Sequence, residues 1–283
     1  MDDVLGEISA QPTMGGATVV GLATGPHLEI RVPARHNPKL RQLVAEVNAD
    51  QQLYQLWCSA NTNANRLDMS DHGPVHVQIV ANTSLRLFRM IVESGGVSGV
   101  VHDYGLAVSD AEIVVVLGAL LHDVGMAIHR SEHETYSLIV ATPVIGRLLA
   151  PIYEETERTA LTSEALHAII GHRAGGHPLT LEAGAVRVGD ALDMSQGRSR
   201  IPYQAGQINI HSVSAAAIEK VAILPGIAKP VKIEITMTNS AGIYQVDELL
   251  RDKLQGSGLE PYVEVEARIE GICEKKLFDV VKL

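Results

Sequence analysis

The sequence predicts a mainly α protein, a helical bundle followed by a small C-terminal α+β domain. Three observations carry this expectation. Apolar residues recur at helical spacing from Leu40 onward. The run Ile113–Leu121 is apolar and too long for an ordinary buried strand once its cap is counted. Beyond residue 203 the period shortens to two, most plainly from Val231 to Met237 and again over Tyr262–Ile269. An N-terminal segment (1–36), a helical domain (37–202) and an α+β domain (203–283) are expected, with the boundary near Ile201-Pro202.

Ala17–Leu22 and His27–Val32 read as short strand-like runs in the N-terminal segment. Asn37 followed by Pro38 is an N-cap with proline at the first helical position, and Leu40, Leu43, Val44 and Val47 supply the apolar stripe. Residues 61–73 are polar and turn-rich. Pro74 restarts a helix to about Glu93, with Val80, Leu87 and Met90 on the stripe that carries His76. A loop containing Gly95, Gly96 and Gly99 follows, with His102 in a loop as a structural residue. Ser109-Asp-Ala-Glu112 has the form of a capping box opening the helix that ends at His122-Asp123. Further helices are expected at 131–150, 162–172 and 181–195. Glu219–Leu224 and Lys229–Thr238 then read as strands, 243–255 as a helix and Tyr262–Ile269 as a strand.

Of the 283 residues 46% are hydrophobic and 20% charged, enough for a real core, and the net charge of −10 disfavours extended nucleic acid. A local basic pocket for a small phosphorylated ligand is compatible with that charge. No apolar stretch reaches the ~18 residues of a membrane span. The acidic start lacks the form of a secretory signal, and Cys58 and Cys273 form no paired-cysteine motif. A cytoplasmic protein without membrane association is expected, and a homo-oligomer is compatible with these features.

His122-Asp123 is the chemically informative pair, since a carboxylate carried into a core is normally paired or bound to metal. Nine histidines fall between His72 and His177, and His72/His76 and His129/His133 are spaced i, i+4. Nitrogen and oxygen donors without a usable thiolate suit Mn, Fe, Co, Ni or Zn.

The order of these residues resembles the HD-domain superfamily of metal-dependent phosphohydrolases. His76 in Gly73-Pro-Val-His76 matches its first histidine, Leu120-Leu-His-Asp-Val-Gly125 its His-Asp pair, and Asp190 in Val188-Gly-Asp190 its distal aspartate. The resemblance covers roughly residues 70–200 and implies an HD-type helical bundle. It further implies one metal on His76, His122, Asp123 and Asp190, with His122 and Asp123 at the catalytic heart. A second would sit on His133, His172 and His167, with Asp123 bridging the two. Many relatives read His-Asp-x-Gly-Lys, whereas Met126 stands at the lysine position here, and the Gly-Tyr-Pro motif of cyclic-dinucleotide phosphodiesterases is absent.

The implied activity is hydrolysis of a nucleotide or other small phosphoester, because a divalent ion lowers the pKa of water from about 15.7 toward 7. Arg66, Arg173, Arg198 and Arg200 are candidates for the phosphate, as guanidinium pairs bidentately with it. His72 is read as a substrate contact or as a cap before Pro74. His129 and His177 are read as surface or rim residues, and Asp193 as a solvated residue with an outer role behind a ligand as the alternative. A di-iron oxygenase of the same superfamily and a catalytically idle nucleotide-sensing protein are the competing functions.

Overall fold

The computed structural model describes residues 27–194, 214–270 and 280–282. The bundle comprises α1 (Pro38–Ala49), α2 (Gln51–Arg66), α3 (Pro74–Glu93), α4 (Gly99–Tyr104), α5 (Val108–Leu121), α6 (His133–Leu149), α7 (Glu155–Gly171) and α8 (Leu181–Ala191). A 3-10 turn, Val124–Ala127, follows α5. The chain then forms a small mixed sheet of β1 (Ile218–Pro225), β2 (Val231–Met237), β3 (Val263–Ile269) and β4 (Val280–Lys282), in that spatial order. β2 and β3 run parallel, so a crossover must join them. It carries a π-helical stretch, Gln245–Leu250, that runs directly into α9 (Arg251–Leu254). The outer pairs, β1 with β2 and β3 with β4, are antiparallel.

α5 is the axis of the bundle. Every residue from Asp110 to Leu121 is buried, against α3, α7 and α8. A helix apolar all round can only be stable when surrounded, which is what its sequence requires. Its two buried carboxylates are both matched. Glu112 accepts from Arg89 Nε at 2.6 Å and Arg89 Nη2 at 2.9 Å, and from Asn37 Nδ2 at 2.9 Å. Asp110 accepts from Lys39 Nζ at 2.7 Å, Tyr153 Oη at 2.6 Å and the Ala107 N–H at 3.0 Å. The helix thus begins two residues earlier than the expected capping box. Asp110 makes the reciprocal bond, and Glu112 is spent on Arg89.

Burial pushes the Asp110 pKa up, but the hydrogen bonds from Lys39, Tyr153 and Ala107 outweigh it and hold the group below its ordinary value. A depressed folded pKa stabilises above the unfolded value, about 3.9, and that contribution is lost as pH falls through the folded one. Asp110→Asn is therefore expected to cost about 1–3 kcal/mol at pH 7 and progressively less below about pH 4. Thermal melts of both proteins at pH 7 and pH 3 check this. An equal gap at both pH values would show that the carboxylate charge contributes nothing.

Asn37 caps α1 as expected, its Oδ1 accepting from Leu40 N at 3.0 Å. Four readings need correction. Residues 61–66 are the last turns of α2 rather than a loop, because Ala60 and Ala64 are buried there against Met126. His27–Val32 is extended but pairs with no strand. Ile30 is bound through its main chain to the Asn48 side chain, and Arg31 N–H to Gln78. His102 lies in the short helix α4, and α7 starts at Glu155, well before residue 162. β4 had no sequence expectation. Ala17–Leu22 and the boundary near Ile201-Pro202 lie outside the described residues.

β2 turns Val231, Ile233, Ile235 and Met237 inward, and the core they join is continuous with that of the bundle. At the junction Gly184 of α8 meets the loop after α9 so closely that a Cβ would stand 2.2 Å from Ser257 O. Among the described residues no helix is long and apolar enough to cross a membrane.

Candidate metal centre

The C-terminal end of α5 is pinned from two sides. Trp57 Nε1 donates to Leu120 O at 2.8 Å, and Ser137 Oγ of α6 donates to His122 O at 2.6 Å. These bonds satisfy carbonyls that a helix end leaves without partners. The same Ser137 Oγ accepts from Gly125 N at 2.8 Å. Gly125 lies against α6, where a Cβ would fall 2.0 Å from His133 O and 2.4 Å from Ser137 N. Only glycine allows this approach, and the approach brings His133 beside Asp123.

His122, His133 and His172 are oriented by one device. Each Nδ1 bonds to the carbonyl three residues back: Ala119 O at 2.8 Å, Arg130 O at 3.1 Å and Ile169 O at 2.5 Å. A carbonyl only accepts, so Nδ1 of His122 and His172 carries a proton and Nε2 is turned toward the carboxylates, whereas Nδ1 of His133 meets both the Arg130 carbonyl and the Arg130 guanidinium. His76 reaches the same state differently, with Nδ1 on Asp193 Oδ2 at 2.6 Å. His76 enters from the first turn of α3, whose start is capped by Asp71. Asp71, not His72, is therefore the cap.

The four Nε2 atoms converge on two carboxylates. Asp123 Oδ2 stands 3.4 Å from His76 Nε2 and 3.2 Å from His122 Nε2, and Asp190 Oδ1 stands 3.6 Å from both. The other oxygen, Asp123 Oδ1, lies 3.1 Å from His133 Nε2 and 3.7 Å from His172 Nε2. Three His/Asp groupings result: His76 with His122 and Asp123; His122 with His172 and Asp190; and Asp123 with His133 and His172. Ligand atoms held about 2.0–2.2 Å from one ion stand about 3–3.5 Å apart. Converging lone pairs, His76 Nε2 and His122 Nε2 at 3.2 Å among them, repel unless a proton or cation lies between. The residues fit divalent metal.

The electrostatics agree. Burial pulls the His122 pKa down, but Asp123 and Asp190 overcome it and push it up to about 10. Burial pushes both aspartates up. The cationic His122 beside Asp123, and Lys253 with His122 beside Asp190, nevertheless hold them well below the usual carboxylate range. Burial, followed by the charges of His122 and Lys253, pulls His172 down. Two carboxylates kept ionised in a buried site call for positive charge beside them.

Residues 80–195 match the family model described as the HD domain. The chain is also 40% identical over 218 residues to Uncharacterized protein MJ1020 of Methanocaldococcus jannaschii, an alignment spanning 77% of this chain and 83% of that protein. The chain belongs to the HD-domain family. Its clustered His/Asp triads are those of the binuclear, metal-dependent phosphohydrolase branch, and the protein is a metal-dependent hydrolase.

Within this HD centre the structure brings together His76, His122, Asp123, His133, His172 and Asp190. His72 stands at the edge, its Nε2 3.9 Å from Asp123 Oδ2 and its Nδ1 on Ser70 O at 2.7 Å. His167 is not part of it. Five residues before His172, it faces another side of α7, and its Nε2 accepts the Leu179 N–H at 2.9 Å. Arg66 is turned onto Asn63, and Arg173 is exposed. Arg198 and Arg200 lie outside the described residues. Asp193 is buried behind His76, which corrects its reading as solvated.

Two residues had no sequence expectation. Lys253 of α9 places Nζ 3.3 Å from Asp190 Oδ2 and donates to His172 O. The fully buried Arg187 of α8 binds the carbonyls of Asp252, Lys253, Gly171 and Arg173. Neither interaction has a signal in sequence spacing, because each joins the bundle to the C-terminal domain.

Proposed function

We propose that this HD protein hydrolyses a small phosphoester, a nucleotide being the expected class, at two divalent ions bridged by Asp123. The observation that carries the reading is the division of Asp123: Oδ2 faces His76 and His122, while Oδ1 faces His133 and His172. His76, His122, Asp190 and Asp123 Oδ2 would hold one ion; His133, His172 and Asp123 Oδ1 would hold the other. When bound, such ions acidify water and offset phosphoryl charge.

The chain's own groups set the geometry. Asp193 and three main-chain carbonyls hold the Nδ1 atoms outward and turn the Nε2 atoms inward. His72, fixed through Nδ1, keeps Nε2 toward Asp123 and is assigned to substrate contact. The negative net charge accords with a small ligand rather than a nucleic-acid polymer.

Elemental analysis of protein purified without chelators tests the two-ion reading. About two metals per chain are expected in wild type, falling toward one in His172→Ala. Manganese-, zinc- or nickel-loaded protein should then release phosphate or alcohol from a phosphoester panel. A single metal untouched by the substitution would defeat the bridged pair. Iron with substrate-dependent oxygen uptake, and no phosphoester turnover, would replace hydrolysis by oxygenase chemistry.

A further inference from the structure

We propose that Lys253, delivered by the C-terminal domain, is the cation that grips the phosphoryl group at the metal centre, an assignment that rests on the hydrolase reading above. The centre is closed on most sides. The side chains of His76 and His122 are 0% exposed, whereas those of Asp190 and Lys253 are 17% and 19% exposed. An entering anion therefore meets Lys253 and Asp190 first. Two of the three ammonium donors are placed, on Asp190 Oδ2 and His172 O, and the third has no partner among the described residues. A third N–H at the mouth of the site, beside the Asp190 carboxylate that would otherwise repel a phosphoryl dianion, is suited to an anionic oxygen.

No other described cation is so placed. Met126, where many relatives carry lysine, is fully buried in a small apolar cluster with Ala60 and Ala64, so that position offers no charge. The guanidinium of Arg130 is turned onto the His133 ring, with Nη1 2.9 Å from Nδ1. Lys253 is also held firmly. Arg187 donates from Nε to Lys253 O at 2.9 Å and from Nη2 to Asp252 O at 3.0 Å, fixing the turn of α9 that carries the lysine. The C-terminal domain thereby becomes part of the active site and not merely an appendage.

The experiment compares metal-loaded wild type, Lys253→Gln and Lys253→Arg by metal analysis, thermal melting, calorimetric titration with inorganic phosphate, and kinetics on whichever phosphoester the panel yields. A charge-assisted hydrogen bond of ordinary strength predicts phosphate binding about 10- to 100-fold weaker in Lys253→Gln, with a matching fall in kcat/KM. Metal content and melting temperature should stay unchanged, and Lys253→Arg should recover part of the affinity. Unchanged phosphate binding in Lys253→Gln would overturn the assignment. Loss of metal from that variant would also overturn it, making Lys253 a residue that positions Asp190. A metal-loaded wild type that binds no phosphate and turns over no phosphoester would instead reject the hydrolase reading itself.

Discussion

Asp123→Asn is expected to abolish activity, lowering kcat/KM by at least about 10³-fold, and to strip metal from both halves of the centre. Among the described residues Asp123 is the one side chain with an oxygen facing each half, so its loss would not be confined to one ion. The amide preserves shape but removes a full negative charge. It also turns an NH2 group toward one pair of imidazole nitrogens, replacing a ligand by a donor. Two divalent ions held close together would need that charge between them, and each would supply several kcal/mol of transition-state stabilisation. His172→Ala removes one neutral donor from one half and should leave the other occupied. The Asp123→Asn variant should still fold, because the end of α5 is held by bonds from the Trp57 and Ser137 side chains to the carbonyls of Leu120 and His122. Two metals retained in Asp123→Asn, or near-normal turnover, would mean that Asp123 does not bridge.

The elements that could be read from sequence are those whose determinants are local. Asn37-Pro38 fixes the start of α1 within four residues, and β2 shows its buried face as a strict alternation. The end of α2 misled because Asn61, Asn63 and Asn65 are poor helix formers, while burial of Ala60 and Ala64 against Met126 decides the conformation. His27–Val32 alternates because it lays Ile30 on the bundle, not because a neighbouring strand exists. The six residues that the centre brings together, His76, His122, Asp123, His133, His172 and Asp190, were legible as candidates through the HD-type order of histidines and aspartates. His167 misled for a geometric reason, five residues being too far round a helix from His172. Lys253 and Arg187 were invisible because their roles exist only once the second domain is docked.

Arg187→Met is expected to be the most destabilising single change at the domain junction. One guanidinium satisfies carbonyls at the C-terminal ends of two helices, Gly171 at the end of α7 with Arg173 just beyond it, and Asp252 and Lys253 of α9. Helix ends leave such carbonyls without internal partners, and their negative dipole ends favour a cation. Methionine fills much of the space but removes the guanidinium from four carbonyls, of which Arg173 O alone keeps a bond, from Gly176 N, at a cost of about 3–5 kcal/mol. For a chain of this size that is a fall of about 10 °C in melting temperature. Because the same bonds fix α9, phosphate affinity should fall as well, whereas Lys253→Gln should lose affinity with no loss of stability. That pairing separates the residue that holds the domain from the residue the domain presents. A melting temperature within about 2 °C of wild type would mean that water replaces the guanidinium and the junction is held by apolar packing alone. If stability falls while phosphate binding is unchanged, α9 keeps its place without Arg187, and the apolar contacts between α8 and the sheet fix the lysine.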